Sequence, residues 1–176
     1  MKKLSAILFA LLISSAIFAQ EEVLNLSNNK LNEFKFNLLM PVVFLYPEIS
    51  YERILDSEIS IGASLGFAAD DDYFQNIAFT PYLRWHFGDA KKKEASGFFI
   101  EANGSLFSQK QDSWDYESEY AADTKSQFGA GLGVGLGWKY VSRNNWVGET
   151  LWGIGRDFIN KDGAYLRMGI SIGKRF

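Results

Sequence analysis

The sequence predicts an all-β fold, an eight-stranded antiparallel up-and-down transmembrane β-barrel, and three observations carry that expectation. The first is the stretch Ala164–Phe176. There Leu166, Met168, Ile170, Ile172 and Phe176 share one parity, and Tyr165, Arg167, Gly169, Ser171, Gly173 and Arg175 share the other. A period of two over thirteen residues describes a strand with one apolar face and one polar or small face. Soluble strands average about half that length, whereas a tilted membrane-crossing strand needs about 9–11 residues. The second observation is repetition, since seven earlier segments show the same alternation and make the count even. The third is that long charged side chains gather on the polar parity, as many cations as carboxylates.

Each element has its own reason. Glu33–Met40 alternates Phe34, Phe36, Leu38 and Met40 outward with Lys35 and Asn37 inward, and Pro41 ends it, leaving Pro41–Phe44 as a tight apolar connection. Leu45–Leu55 sends Pro47, Ile49 and Tyr51 outward and Tyr46, Glu48, Ser50 and Glu52 inward, before Asp56-Ser57-Glu58 turns the chain. Ile59–Ala68 alternates Ile59, Ile61, Ala63, Leu65 and Phe67 with Ser60, Gly62, Ser64 and Gly66. After Asp70-Asp71-Asp72-Tyr73, Gln75–Phe87 shows Ile77, Phe79, Leu83, Trp85 and Phe87 outward, with Thr80, Tyr82, Arg84 and His86 inward. Gly88–Ser96 is a turn carrying Lys91-Lys92-Lys93, and Gly97–Phe107 sends Glu101, Asn103 and Ser105 inward. An acidic loop, 108–126, leads to Gln127–Val141, in which every second residue from Gly129 to Gly137 is glycine. Ser142-Arg143-Asn144-Asn145 makes a hairpin turn. Trp146–Phe158 follows, with Trp152 and Ile154 outward and Glu149 inward, and Asn160–Gly163 leads into the last strand.

Composition bounds the rest. A chain of 176 residues has room for one domain, and a net charge of −3 offers no basic surface for nucleic acid. There is no cysteine, hence no disulfide, thiolate metal site or lipid-anchoring cysteine. Met1-Lys2-Lys3, an apolar run from Leu4 to Phe18 and the small Ala19 read as a signal peptide over residues 1–19. Residues 20–31 form a short polar leader, and the barrel occupies 32–176. No run of 18 apolar residues follows, so a closed barrel is the available way to span a bilayer.

The closing stretch resembles the last strand of bacterial outer-membrane β-barrels, in which a terminal Phe after alternating apolar residues marks the chain for assembly. Lys174 departs from that pattern, standing where those barrels carry an apolar or aromatic residue. The mature chain as a whole is similar to eight-stranded barrels of the OmpX and OmpA type. That resemblance implies a bacterial outer-membrane location, with outer-membrane lipids and lipopolysaccharide as neighbours. It also implies handling by the barrel-assembly machinery through Phe176, Ile172 and Ile170.

Four features of the sequence bear on function. The inward parity collects Lys35, Arg84, Lys139 and Arg167 against Glu48, Glu52, Glu101 and Glu149, the ion-pair network an eight-stranded interior needs to fill itself. The Gly129–Gly137 run lies within one strand and is no phosphate loop; its small residues leave room for long Arg and Glu side chains opposite. His86, the only histidine, is expected to be satisfied or solvated: no serine adjoins it in sequence, as lipid A-modifying barrel enzymes would need, and no second His or Cys would share a zinc. In the acidic loop, Trp114, Tyr116 and Tyr120 stand among carboxylates that divalent ions could bridge to lipopolysaccharide phosphates, in a spacing that matches no calcium loop.

The expectation is therefore a non-enzymatic outer-membrane barrel with a filled lumen, no cofactor and no bound metal, acting in envelope structure or in surface interaction through its loops. A narrow channel for small or apolar solutes is the alternative, and a lipid A-modifying enzyme is a weaker one. A soluble lipocalin-like barrel closes equally well but puts its apolar parity inside, against the inward charges and Phe176.

Overall fold

The computed structural model describes residues 30–69, 75–87, 93–111, 125–159 and 163–176. The expected signal peptide and most of the leader lie outside these residues, as do Asp70–Asp72, Lys91, Lys92, Trp114, Tyr116 and Tyr120. Leu31–Phe176 is one unit, a closed antiparallel barrel in which each strand pairs with the next and the last returns to the first. Its strands are β1 (Asn32–Asn37), β2 (Glu48–Ile54), β3 (Ile59–Phe67) and β4 (Gln75–Phe87), then β5 (Gly97–Gln111), β6 (Lys125–Val141), β7 (Trp146–Asp157) and β8 (Ala164–Arg175). Closure leaves long apolar strands without exposed lateral edges along most of the wall.

The first strand is shorter than the alternation suggested. It stops at Asn37, and Leu39–Phe44 winds into a short helix, α1. Asn37 accounts for the change, because its Oδ1 accepts the backbone N–H groups of Leu39 (3.1 Å) and Met40 (3.3 Å) and turns the chain inward. Pro41 sits in the first helical turn, where its missing N–H costs nothing. Met40, expected to point outward, is buried as a result. Leu45 ends the helix in a left-handed conformation (φ 52°), and β2 begins at Glu48 rather than Leu45. On the opposite side β5 and β6 run further than their alternation did, to Gln111 and from Lys125.

Small residues let the wall close tightly over its contents. A Cβ on Gly137 would meet the Phe99 ring and the Thr150 backbone carbonyl, and one on Gly155 would meet the Tyr165 ring. Gly129 and Gly131 face Phe107 and Tyr165 in the same way. The glycines of β6 thus mainly admit aromatic rings, not the Arg and Glu side chains expected opposite them. Ring faces demand close backbone approach, whereas flexible charged chains reach across the lumen.

The outer wall is apolar. Phe36, Ile61, Leu65, Leu83, Ile100, Leu106, Val134, Leu136, Ile154 and Ile170 are all exposed, while Lys35, Arg84, Glu101 and Lys139 are buried inside. At the end holding Asn32 and Phe176, the exposed rings of Phe34, Trp85, Phe87, Phe98, Trp138, Tyr140, Trp146 and Phe176 form a girdle. Trp138 and Tyr140 stack with centroids 6.2 Å apart, and Lys174 Nζ lies 4.9 Å from the Trp146 ring centre. Phe67, Phe128 and Phe158 mark the far end. Phe176 continues the seam, exchanging backbone hydrogen bonds with Asn32 at 2.8 and 3.0 Å while its ring faces outward.

Candidate functional site: the lumenal charge network

Alternation delivers one long polar side chain to the lumen every second residue, and the barrel stagger decides which of them meet. Lys35 from β1 reaches Glu52 on β2 (2.5 Å) and Glu149 on β7 (2.7 Å). Lys139 from β6 crosses the lumen to Glu33 (3.0 Å) and makes a shorter contact with Glu52. Arg84 on β4 donates through Nη1 to Glu52 (2.7 Å) and Glu149 (2.8 Å), and through Nε to Glu101 (2.8 Å). Its guanidinium is sandwiched between the Tyr82 and Phe99 rings, 4.3 and 4.4 Å from their centres, a stacking that a planar delocalised cation favours.

Arg167 carries the network towards the far end. Its Nε donates to Glu101 (2.7 Å) and its Nη1 to Ser64 (2.9 Å), with Glu48 at a looser 3.5 Å. At the terminal end Arg175 donates to Glu33 from Nη2 (2.6 Å) and Nε (2.8 Å), and to the carbonyls of Glu94 and Ala95. Among the described residues, five cations and five carboxylates therefore form one connected chain from Arg175 to Glu48. Eight of the ten residues were singled out from sequence. Glu33 and Arg175 were not, although each shares the parity of a neighbour that was: Glu33 lies two residues before Lys35, and Arg175 eight after Arg167.

Glu52 is the hub. Besides Lys35, Arg84 and Lys139 it accepts from Ser60 Oγ (2.6 Å), and the Tyr82 hydroxyl lies at 3.4 Å. Ser60 in turn lies 3.0 Å from His86 Nε2. The register of β3 against β4 thus supplies His86 with the serine that its own strand lacks. The carboxylate contacts the serine rather than His86 Nδ1, which is buried without a hydrogen-bond partner among the described residues, unlike the order of a Ser-His-acid triad. Ser60 and His86 are both buried, at 0% and 1% exposure. His86 is accordingly a buried, half-satisfied member of the network. Among the described residues no cluster of His, Asp and Glu is arranged to hold a metal ion.

The far half of the lumen is less charged. Thr80 Oγ1 and Ser105 Oγ lie 2.9 Å apart, the Tyr165 hydroxyl donates to Asn103 (2.8 Å), and the Phe107 and Tyr165 rings pack at 5.8 Å. Asp157, on the inward parity of β7, accepts from the N–H groups of Ala130 and Ile159. A cavity of about 30 Å3 remains here, room for a water molecule.

The chain matches no protein family and no curated protein sequence. Among solved structures, the N-terminal β-barrel domain of Pseudomonas aeruginosa OprF aligns with a TM-score of 0.55 and 14% identity, over 84% of this chain and 98% of that domain. The two share a fold. At that identity the likeness extends to architecture, an eight-stranded closed antiparallel barrel, and the lumenal residues stand on their own geometry.

Proposed function

We infer that the chain is an integral outer-membrane barrel with a plugged lumen, non-enzymatic, serving envelope structure or surface interaction through the loops at the end remote from its termini. The observation that carries the reading is the inversion of polarity across the wall. An apolar exterior of this extent is stable only against lipid or another apolar surface, and a charged interior only where the charges pair. The aromatic girdle near Phe176 fits a membrane–water interface, and the four-residue connections 55–58 and 142–145 at that end fit a periplasmic terminal end. Outward cations sit where lipid tolerates them: Arg53 and Lys174 near the terminal end, Arg156 near the far end. Surface recognition would fall to the loop bearing Trp114, Tyr116 and Tyr120, and to lipopolysaccharide around it.

The test is fractionation together with gel mobility. The mature chain is expected in the outer-membrane fraction, with mobility that changes on boiling. Recovery as a soluble periplasmic protein would end the membrane reading. A narrow channel remains the second reading, and the conductance experiment below decides it.

The assembly role of Phe176, Ile172 and Ile170 leads to a separate expectation. All three side chains are exposed on the outer wall, whereas Arg175 is buried against Glu33. Phe176→Asp should slow insertion into outer membranes or vesicles, with little change in the stability of molecules that do insert. Arg175→Ala should insert at a near-normal rate and unfold at lower urea, because it strips Glu33 of one partner. Identical insertion defects in both variants would show that the outward parity of Phe176 is not what the machinery reads.

A further inference from the structure

The wall of the barrel is incomplete between its last and first strands. β8 pairs with β1 only from Arg175 down to Ser171, whereas it pairs with β7 along Ala164–Lys174. Above that seam one backbone bond, Leu38 N–H to the Ile170 carbonyl (2.7 Å), and one side-chain bond, Asn37 Nδ2 to the Met168 carbonyl (3.1 Å), tie the edge to the start of α1. Among the described residues, Ala164–Gly169 therefore have a strand partner on one side only. At roughly 2.5 Å of axial rise per tilted residue, Met168 stands about 20 Å above Phe176, inside an apolar band about 25 Å tall. A strand edge at that depth must be covered by protein or by a ligand.

Among the described residues α1 packs against that edge, and a small cavity adjoins Met40 of α1 and the backbone of β8. That cavity is lined by lumen-facing Glu48, Thr80, Ser105 and Arg167, and also by Leu166 and Met168 from the outward parity of β8. Met40 of α1 closes it. The remaining surface of α1 is apolar and exposed, Val42 at 83% and Val43 at 55%, as suits a segment lying in lipid. Its two ends are pinned by the Asn37 side chain and by Leu45 in a left-handed conformation that a leucine rarely adopts. The other end of the lumen is filled by the ion-pair network, so the cavity is blind in that direction.

We propose that the break between β8 and α1 is a lateral entry from the membrane to a lumenal binding site for a single-chain amphiphile. The neutral or cationic, hydrogen-bond-donating head lies beside Glu48, and the alkyl chain lies along Leu166 and Met168. Charge selects the head. Arg167 is matched by Glu101 at 2.7 Å, while among the described residues Glu48 has contacts of 3.5 Å only, with Arg167 and with Asn37. An added carboxylate would face Glu48, whereas an ammonium or hydroxyl would give it the donor it lacks at short range. The closed cavity holds about one water, so binding requires α1 to swing aside on Asn37 and Leu45.

The proposal rests on the membrane reading, and the test separates the two. The chain has no cysteine, so single cysteines report access without background. In the full-length protein in phospholipid vesicles, quenching of the exposed Trp138 and Trp152 by lipids with brominated chains is the membrane control, and Thr80→Cys and Ser105→Cys, both now buried beside the cavity, are the reporters. N-dodecylmaleimide in the bilayer should label the reporters, and about tenfold faster with Met40→Ala. A sulfonated, water-soluble maleimide should label the reporters far more slowly. Dodecylamine or dodecanol should protect the reporters, and dodecanoate should not. Absence of that quenching would overturn the membrane reading, and this inference with it. Quenched tryptophans beside silent reporters, or reporters reached first by the sulfonated reagent, would overturn lateral entry alone. Equal protection by dodecanoate would overturn the assignment of the head group.

Discussion

Glu52→Ala is expected to destabilise the folded barrel by about 3–5 kcal/mol, the cost of leaving buried charge unpaired. Glu52 is fully buried and contacts Lys35, Arg84 and Lys139, so its loss leaves three cations sharing fewer carboxylates and Ser60 without its acceptor. Glu52→Gln keeps the shape and removes the charge, and should recover only a small part of the loss. Removing Glu48, whose contacts are 3.5 Å long and whose side chain is 19% exposed, should cost far less. Urea unfolding in lipid vesicles measures all three. A loss below about 1 kcal/mol for Glu52→Ala, the range of solvated surface pairs, would mean that water screens the hub.

The second large effect is electrical. The unmodified protein should carry little or no current across planar bilayers, because Arg84, stacked on Tyr82 and Phe99 and bonded to Glu101, reaches across the lumen to Glu52 and Glu149. Arg84→Ala removes the largest fully buried side chain and frees carboxylates into the gap, so discrete cation-selective openings should appear. Arg84→Lys keeps the charge but loses the planar fork and the stacking, and should lie between the two. A steady, large conductance from the unmodified barrel would refute the filled lumen and promote the channel reading.

Period two makes the interior of a strand legible and little else. Lys35, Glu52, Arg84, Glu101, Lys139, Glu149 and Arg167 lie within regular strands and face the lumen, because alternation has no other solution once one face is apolar. Which of them meet depends on the stagger of the closed sheet, which no single strand displays. Lys139 finds Glu33 and Glu52 across 106 and 87 residues of sequence. His86 acquires Ser60 by the same means, through a register set by neighbouring strands. Glu33 and Arg175 were readable by parity but sit at strand ends, where alternation is too short to give them weight. The helix α1 was hidden for a different reason: six residues make less than two helical turns, and an apolar run around Pro41 reads equally well as a strand ending in a turn.

The inequality of the strands also bears on how the sheet is stitched. β5 and β6 have 15 and 17 residues and adjoin in sequence, whereas β1 and β8 have 6 and 12 and bring together opposite ends of the barrel chain. Local pairing pays little loop-closure entropy before its hydrogen bonds form, and distant pairing pays most. Hairpins between strands adjacent in sequence should thus form first, and the short seam from Glu33–Arg175 to Asn37–Ser171 last. The same seam is the first to fray. Amides there should exchange with solvent deuterium before those of β5 and β6, which hydrogen-exchange measurement would check.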